Sequence, residues 1–187
     1  MRSIRTTVRQ MMLRMKTKAR IDMNKIIVYK NTLGDTRTAE RMPTKEEFDH
    51  SNWLHKDDVM TLACEFANEL KCRCGNHDWT KVQEPYASKF YNLMKATIED
   101  GADFMSGEWA HLHFDVLERH HLTRHCPDDV DLFDVLEMIF DIVSAGMTRS
   151  GSVYPLEISN EILQKAVANT VNYLIENIEI AESEEEQ

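Results

Sequence analysis

Glycine and proline are scarce, 6 and 4 in a chain of 187 residues, which excludes a collagen-like or loop-dominated architecture. No run of about 18 apolar residues occurs, so no segment reads as a membrane span. The start of the chain also lacks the continuous apolar stretch of a secretory signal. Four cysteines without such a signal point to reduced thiols in the cytoplasm and away from a disulfide framework. Cys72 and Cys74 form the only close pair, and their spacing is too short for an ordinary zinc knuckle. Positive charge is in deficit as well: 22 Lys and Arg stand against 32 Asp and Glu, a net charge of -10. Such a surface repels a nucleic-acid backbone and favours small-molecule or protein partners.

What remains is ordinary for a soluble globular protein of one domain, with 42% hydrophobic residues. Charge is unevenly spread along it. Residues 1–22 hold Arg2, Arg5, Arg9, Arg14, Lys16, Lys18 and Arg20 against the single acid Asp22, and read as a basic flexible arm or a translated leader. The domain expected from this pattern spans 23–178. Residues 179–187 are expected to be a disordered acidic tail, since the chain from Glu176 on carries six glutamates and no basic residue.

Within the domain, Lys25 to Tyr29 is a short β-branched run that predicts one extended piece, followed by a turn-rich stretch to Arg37. From Lys45 the period changes. Val59, Leu62, Ala63, Phe66 and Leu70 recur at three and four residues and predict an amphipathic helix ending near Gly75. Ser88 to Ile98 predicts a second helix that Gly101 stops. Glu108 to His121 predicts a third, with Trp109, Leu112, Val116 and His120 on one face. Asp131 to Met147 is the most hydrophobic stretch and predicts a core helix. A last helix is expected from about Ser159 to Ile178, without a capping box at Ser159. The fold class is therefore all-α, a bundle of about five or six helices with a short extended N-terminal segment.

Seven of the eight histidines fall between His55 and His125, and with Asp78 and Asp141 they make a donor set of imidazoles and carboxylates. That mixture suits a borderline divalent transition metal, Mn, Fe, Co, Ni or Zn. The order His55, His77-Asp78, Asp141 resembles the ligand order of the HD superfamily of metal-dependent hydrolases, in which these residues converge from separate helices. His77-Asp78-Trp79-Thr80-Lys81 is similar to its His-Asp-x-x-Lys form, and Val135 to Asp141 to its closing helix. Asp35-Thr36-Arg37, Gly107-Glu108-Trp109, Arg119-His120-His121, Ala145-Gly146-Met147 and Arg149-Ser150-Gly151 resemble uncharacterised phage and bacterial HD-like proteins. The likeness runs from about Asp35 to Val171.

The resemblance implies His55, His77, Asp78 and Asp141 as ligands of one metal, with His113, His120 and His121 as candidates for completing a second. If the helix is regular, His113 and His120 share a face while His121 points about 100° from His120. His111 and His125 read as bystanders. Lys81, three residues past Asp78, would share its helical face and could balance phosphoryl charge. Glu108 and Glu137 are candidates for a general base or for orienting a ligating histidine, Glu137 being the better placed, one turn before Asp141. Arg37, Arg119 and Arg149 are candidates for gripping a phosphate, and each could instead pair with a surface acid.

The expectation is a metal-dependent phosphohydrolase holding one or two ions and acting on a small-molecule phosphoester, a nucleotide or a relative of one. Two alternatives stay open: an HD-type di-iron oxygenase, and a non-catalytic, phage-encoded binding or inhibitor protein with a structural metal. The location would be the cytoplasm, the host's if the protein is phage-encoded, and a homo-oligomer is compatible with this reading.

Overall fold

Two short apolar runs at opposite ends of the chain find each other. In a computed structural model, which describes residues 25–153 and 155–182, β1 (Ile26–Tyr29) pairs in parallel with β2 (Ile178–Ala181), Ile26 opposite Ile178 and Val28 opposite Ile180. The expectation of a disordered tail from 179 is corrected for residues 179–181. Lysines beside the strands tie the two ends together: Lys30 pairs with Glu182 at 3.2 Å, and Lys25 Nζ donates to the Glu176 backbone carbonyl at 2.6 Å. Residues 1–22 and 183–187 lie outside the described residues.

The chain divides into two units, one holding these strands and the residues up to Leu62, the other Ala63–Ile175. Helix α1 (Lys45–Gly75) contributes its first part to the first unit and the remainder to the second. Thr44 and Glu47 start it reciprocally: Thr44 Oγ1 accepts from the Glu47 N–H at 3.2 Å and Glu47 Oε2 accepts from the Thr44 N–H at 2.7 Å. Two of the four donors a helix start leaves open are thereby satisfied.

The second unit is helical throughout its regular structure. After α1 come α2 (Trp79–Val82), α3 (Tyr86–Asp100), α4 (Glu108–Leu112), α5 (Leu132–Arg149) and α6 (Asn160–Asn177), the last two residues of which belong to the first unit. Among the described residues the fold is all-α but for the one two-stranded sheet. Helix α3 stops at Gly101, whose φ of 70° favours a residue without a Cβ. Gly107 admits α4 close to α3, since a Cβ there would come within 2.6 Å of Leu93.

Helix α5 carries the core. Val135 and Met138 pack with Leu122, Val130 and Ala166, and Phe133 is fully buried and stacked on Phe66 at 4.3 Å. Burying one such side chain stabilises by roughly 1.5–3 kcal/mol. Asp131 caps the helix and forms a capping box with Asp134. Helix α6 begins with Ser159 Oγ accepting from the Ile162 N–H at 3.2 Å.

The helix expected over Glu108–His121 is corrected: α4 ends at Leu112, His113–Leu117 is a π turn, and Glu118 is extended at φ -91°, ψ 129°. The Glu118 N–H reaches back to the His113 carbonyl at 3.3 Å, five residues away. One inserted residue per turn breaks the regular wheel, so the argument that separated His120 from His121 no longer applies. Among the described residues no helix is long and apolar enough to cross a membrane.

Candidate metal centre

The residue that organises the site is Asp78. It sits between the end of α1 and α2 with φ 55° and ψ 30°, a left-handed conformation that costs a non-glycine residue about 1–2 kcal/mol and that Asp tolerates better than most. That backbone turns its carboxylate into a cluster of histidines. Two groups of ligand atoms share it: His77, Asp78 and His120 form one, Asp78, His113 and His121 the other, with all atoms of a group within 4.8 Å of one another.

The individual distances define the arrangement. Asp78 Oδ1 lies 3.4 Å from His113 Nε2 and 3.7 Å from His120 Nε2, while Oδ2 lies 3.3 Å from His77 Nε2 and accepts an ion pair from Lys81. His113 Nε2 and His121 Nε2 approach to 3.0 Å, a convergence the π turn makes possible. Helix α5 closes the other side. Asp141 Oδ1 is 3.3 Å from His77 Nε2, and Glu137 Oε1 bonds His77 Nδ1 at 3.0 Å. The same Glu137 oxygen is 3.2 Å from His120 Nδ1, but off the hydrogen-bond direction, so that nitrogen stays unsatisfied.

The carboxylates and the buried imidazoles of this cluster shift one another in opposite directions. The carboxylates of Asp141, Asp78 and Glu137 push the His77 imidazole up to about 12. Burial opposes the charge on Glu137, yet His120 and His77 beside it hold it down to about 2. His113 and His121 behave oppositely. Burial first, then the neighbouring imidazoles, lowers them to about 3 and about 4, so both are neutral with a lone pair to offer, the form that ligates a metal. Asp78 Oδ1 and both ring nitrogens of His120 are buried without a hydrogen-bond partner among the described residues. Orphaned polar atoms at that depth are rare in proteins and each costs about 1–3 kcal/mol. Two of them, Asp78 Oδ1 and His120 Nε2, lie 3.7 Å apart and fit a divalent ion of the imidazole and carboxylate class.

The sequence candidates divide clearly. His77, Asp78, His113, His120 and His121 come together, with Asp141 and Glu137 against His77. His55 is exposed in the first unit and belongs to neither group; the residue grouped with His77 and Asp78 is His120. Glu108 is exposed and accepts from Lys89 at 2.9 Å, outside both groups. Arg119 clasps Asp134 at 2.8 and 2.6 Å and Asp129 at 2.9 Å, so its guanidinium is committed to structure. Arg37 pairs with Asp35 in the first unit, and Arg149 is exposed at the end of α5. His111 bonds Asp115 and His125 is exposed; neither joins a group.

Two buried residues escaped the sequence reading. Thr80 and Glu118 stand directly behind His113, and no spacing or periodicity marks them. The match to the family of unknown function DUF5662 spans residues 44–179, from the start of α1 into β2. The chain belongs to this family. No curated protein and no solved structure matches the chain. The matched span contains every residue of both histidine groups, and the family description carries no activity.

Proposed function

We propose that the chain is a metal-dependent phosphohydrolase that acts on a nucleotide or related phosphoester, as its resemblance to the HD superfamily implies. The observation that carries the reading is one carboxylate, Asp78, shared by two histidine groups, with its Oδ1 and the ring nitrogens of His120 buried without a hydrogen-bond partner among the described residues. His77, Asp78 and His120 would hold one ion, with Asp141 adjacent, and Asp78, His113 and His121 a second. When bound, a divalent ion supplies Lewis acidity toward a phosphoryl oxygen and lowers the pKa of a coordinated water.

The chain's own residues do the rest. Glu137 accepts from His77 and thereby fixes the ring that faces Asp78 and Asp141. Lys81 neutralises part of the Asp78 charge and presents an ammonium beside the cluster, where it can balance charge that develops on a transferring phosphoryl group. The burial of His113 and His120 keeps bulk water from the inner side of the cluster. A nitrogen and oxygen donor set also suits iron, which favours an HD-type di-iron oxygenase as the second reading.

Metal analysis of protein purified without added metal, followed by a screen of nucleoside mono-, di- and triphosphates with Mn2+, Co2+ and Zn2+, tests the proposal. Phosphate release from at least one class, abolished by chelation, is the expected result. Iron content with substrate-dependent oxygen uptake and no phosphate release would replace it with the oxygenase. One tightly held ion with neither activity would make the metal structural.

A further inference from the structure

Behind His113 lies a hydrogen-bond chain that the proposed chemistry does not use. Thr80 is 0% exposed, His113 0% and Glu118 5%. Glu118 Oε1 lies 3.1 Å from the Thr80 backbone N and 2.8 Å from Thr80 Oγ1, and Thr80 Oγ1 lies 2.7 Å from His113 Nδ1. The Trp109 indole donates to the Thr80 carbonyl at 3.2 Å and stacks on the His113 ring at 4.5 Å, which pins both partners.

The direction of every proton in this chain follows from counting donors. With Glu118 ionised, Oε1 can only accept, so both the Thr80 backbone N–H and the Thr80 hydroxyl donate to it. A threonine has one hydroxyl hydrogen. Once that hydrogen is committed to Glu118, the same oxygen can only accept from His113, and Nδ1 must carry the ring proton. The unprotonated nitrogen is then Nε2, the atom that faces Asp78 Oδ1 at 3.4 Å and His121 Nε2 at 3.0 Å. The reverse tautomer would strip the buried carboxylate of one of its two donors and turn an N–H toward the other ligands.

We propose that Glu118 and Thr80 are positioning residues that lock His113 in its Nδ1–H tautomer and so aim the Nε2 lone pair at the second metal group, an inference that rests on the proposed metal centre. A ligating histidine needs an acceptor on its other nitrogen, and loss of such a partner typically weakens metal binding by about 10- to 100-fold. Here the acceptor is a hydroxyl whose orientation is dictated by a buried carboxylate.

The test has two arms. Nitrogen-15 spectra of metal-free wild type, with the His113 signal assigned by its loss in His113→Gln, should show a protonated Nδ1 and an unprotonated Nε2. An Nε2–H form there would overturn the proposal without any variant having to fold. Thr80→Val, which keeps the shape and removes the hydroxyl, should populate the Nε2–H form and weaken Zn2+ binding in chelator competition by about 10- to 100-fold. Thr80→Ser should retain the wild-type tautomer and an affinity within a few-fold. A merely structural role for Thr80 would lower the melting temperature of Thr80→Val and leave tautomer and affinity unchanged, which would overturn the proposal. If wild type shows the Nδ1–H form but binds no Zn2+, the relay stands and the metal centre falls.

Discussion

Helix α5 presents carboxylates of two kinds along one face. Asp134, Glu137 and Asp141 fall within roughly 60° of one another around the helix axis, yet their surroundings differ. At the N-terminal end, Asp131 and Asp134 meet permanent cations: Arg73 bonds Asp131 at 3.1 Å and Glu69 at 2.8 Å, and Arg119 clasps Asp134 with two nitrogens. One to two turns on, Glu137 and Asp141 meet imidazoles, and ligand atoms of Asp78 and His120 are left without partners. Where the chain supplies its own guanidinium groups it has built a closed network. Where it supplies histidines, ligand-type atoms remain unpaired among the described residues, and under the proposed function a metal ion would balance them.

Breaking the closed network should produce the largest loss of stability. Asp134 is 1% exposed, and Asp134→Ala leaves Arg119 and part of Arg73 uncompensated in a buried setting. We expect a loss of about 3–5 kcal/mol in denaturant unfolding of the metal-free protein. A loss below about 1 kcal/mol would mean that the arginines are not holding this end of α5. Next in size is Lys81→Met, which removes an ammonium but keeps its stem. Turnover of the phosphoester found in the screen should fall by about a hundredfold, with the wild-type metal content retained. Undiminished turnover would take Lys81 out of the chemistry.

The open cluster should respond to metal and the closed network should not. Zn2+ at a hundred times its dissociation constant should stabilise the wild type by about 2.7 kcal/mol, a rise reversed by chelation. If the melting temperature ignores both metal and chelator, the cluster is not a binding site. The smallest effect should come from a carboxylate that only resembles the others in sequence. Glu108 faces Lys89 at the surface, so Glu108→Ala should change stability by less than about 1 kcal/mol and leave turnover within experimental scatter.

The helices were legible because their signals are local. Leu132, Val135, Leu136 and Ile139 repeat at helical spacing, and Gly101 stops α3 where a φ of 70° favours glycine. What stayed hidden depends on partners distant in sequence or on a break with no composition cue. The strand Ile178–Ala181 reads as the frayed end of an acidic helix until Ile26–Tyr29 lies beside it. The π turn at His113–Leu117 falls inside an unbroken apolar period, and it brings His121 to His113 when a regular helix would not. Thr80 and Glu118 are ordinary residues made important by a hydroxyl that bridges a buried carboxylate and His113 Nδ1. The HD-like order of motifs led to His77 and Asp78, but order in a sequence says nothing of which histidine will be their neighbour: His120, not the exposed His55, shares their group.

The proposed metal centre depends on Asp78, the carboxylate shared by both histidine groups. Asp78→Asn tests it most directly, since asparagine tolerates the left-handed backbone and matches the shape while removing the charge. Metal content by elemental analysis should fall from one or two transition-metal ions per chain in the wild type to none, with the metal-free variant folded and within about 1 kcal/mol of metal-free wild type. Full metal retention in Asp78→Asn, or a wild type that holds no transition metal after loading, would contradict the metal centre.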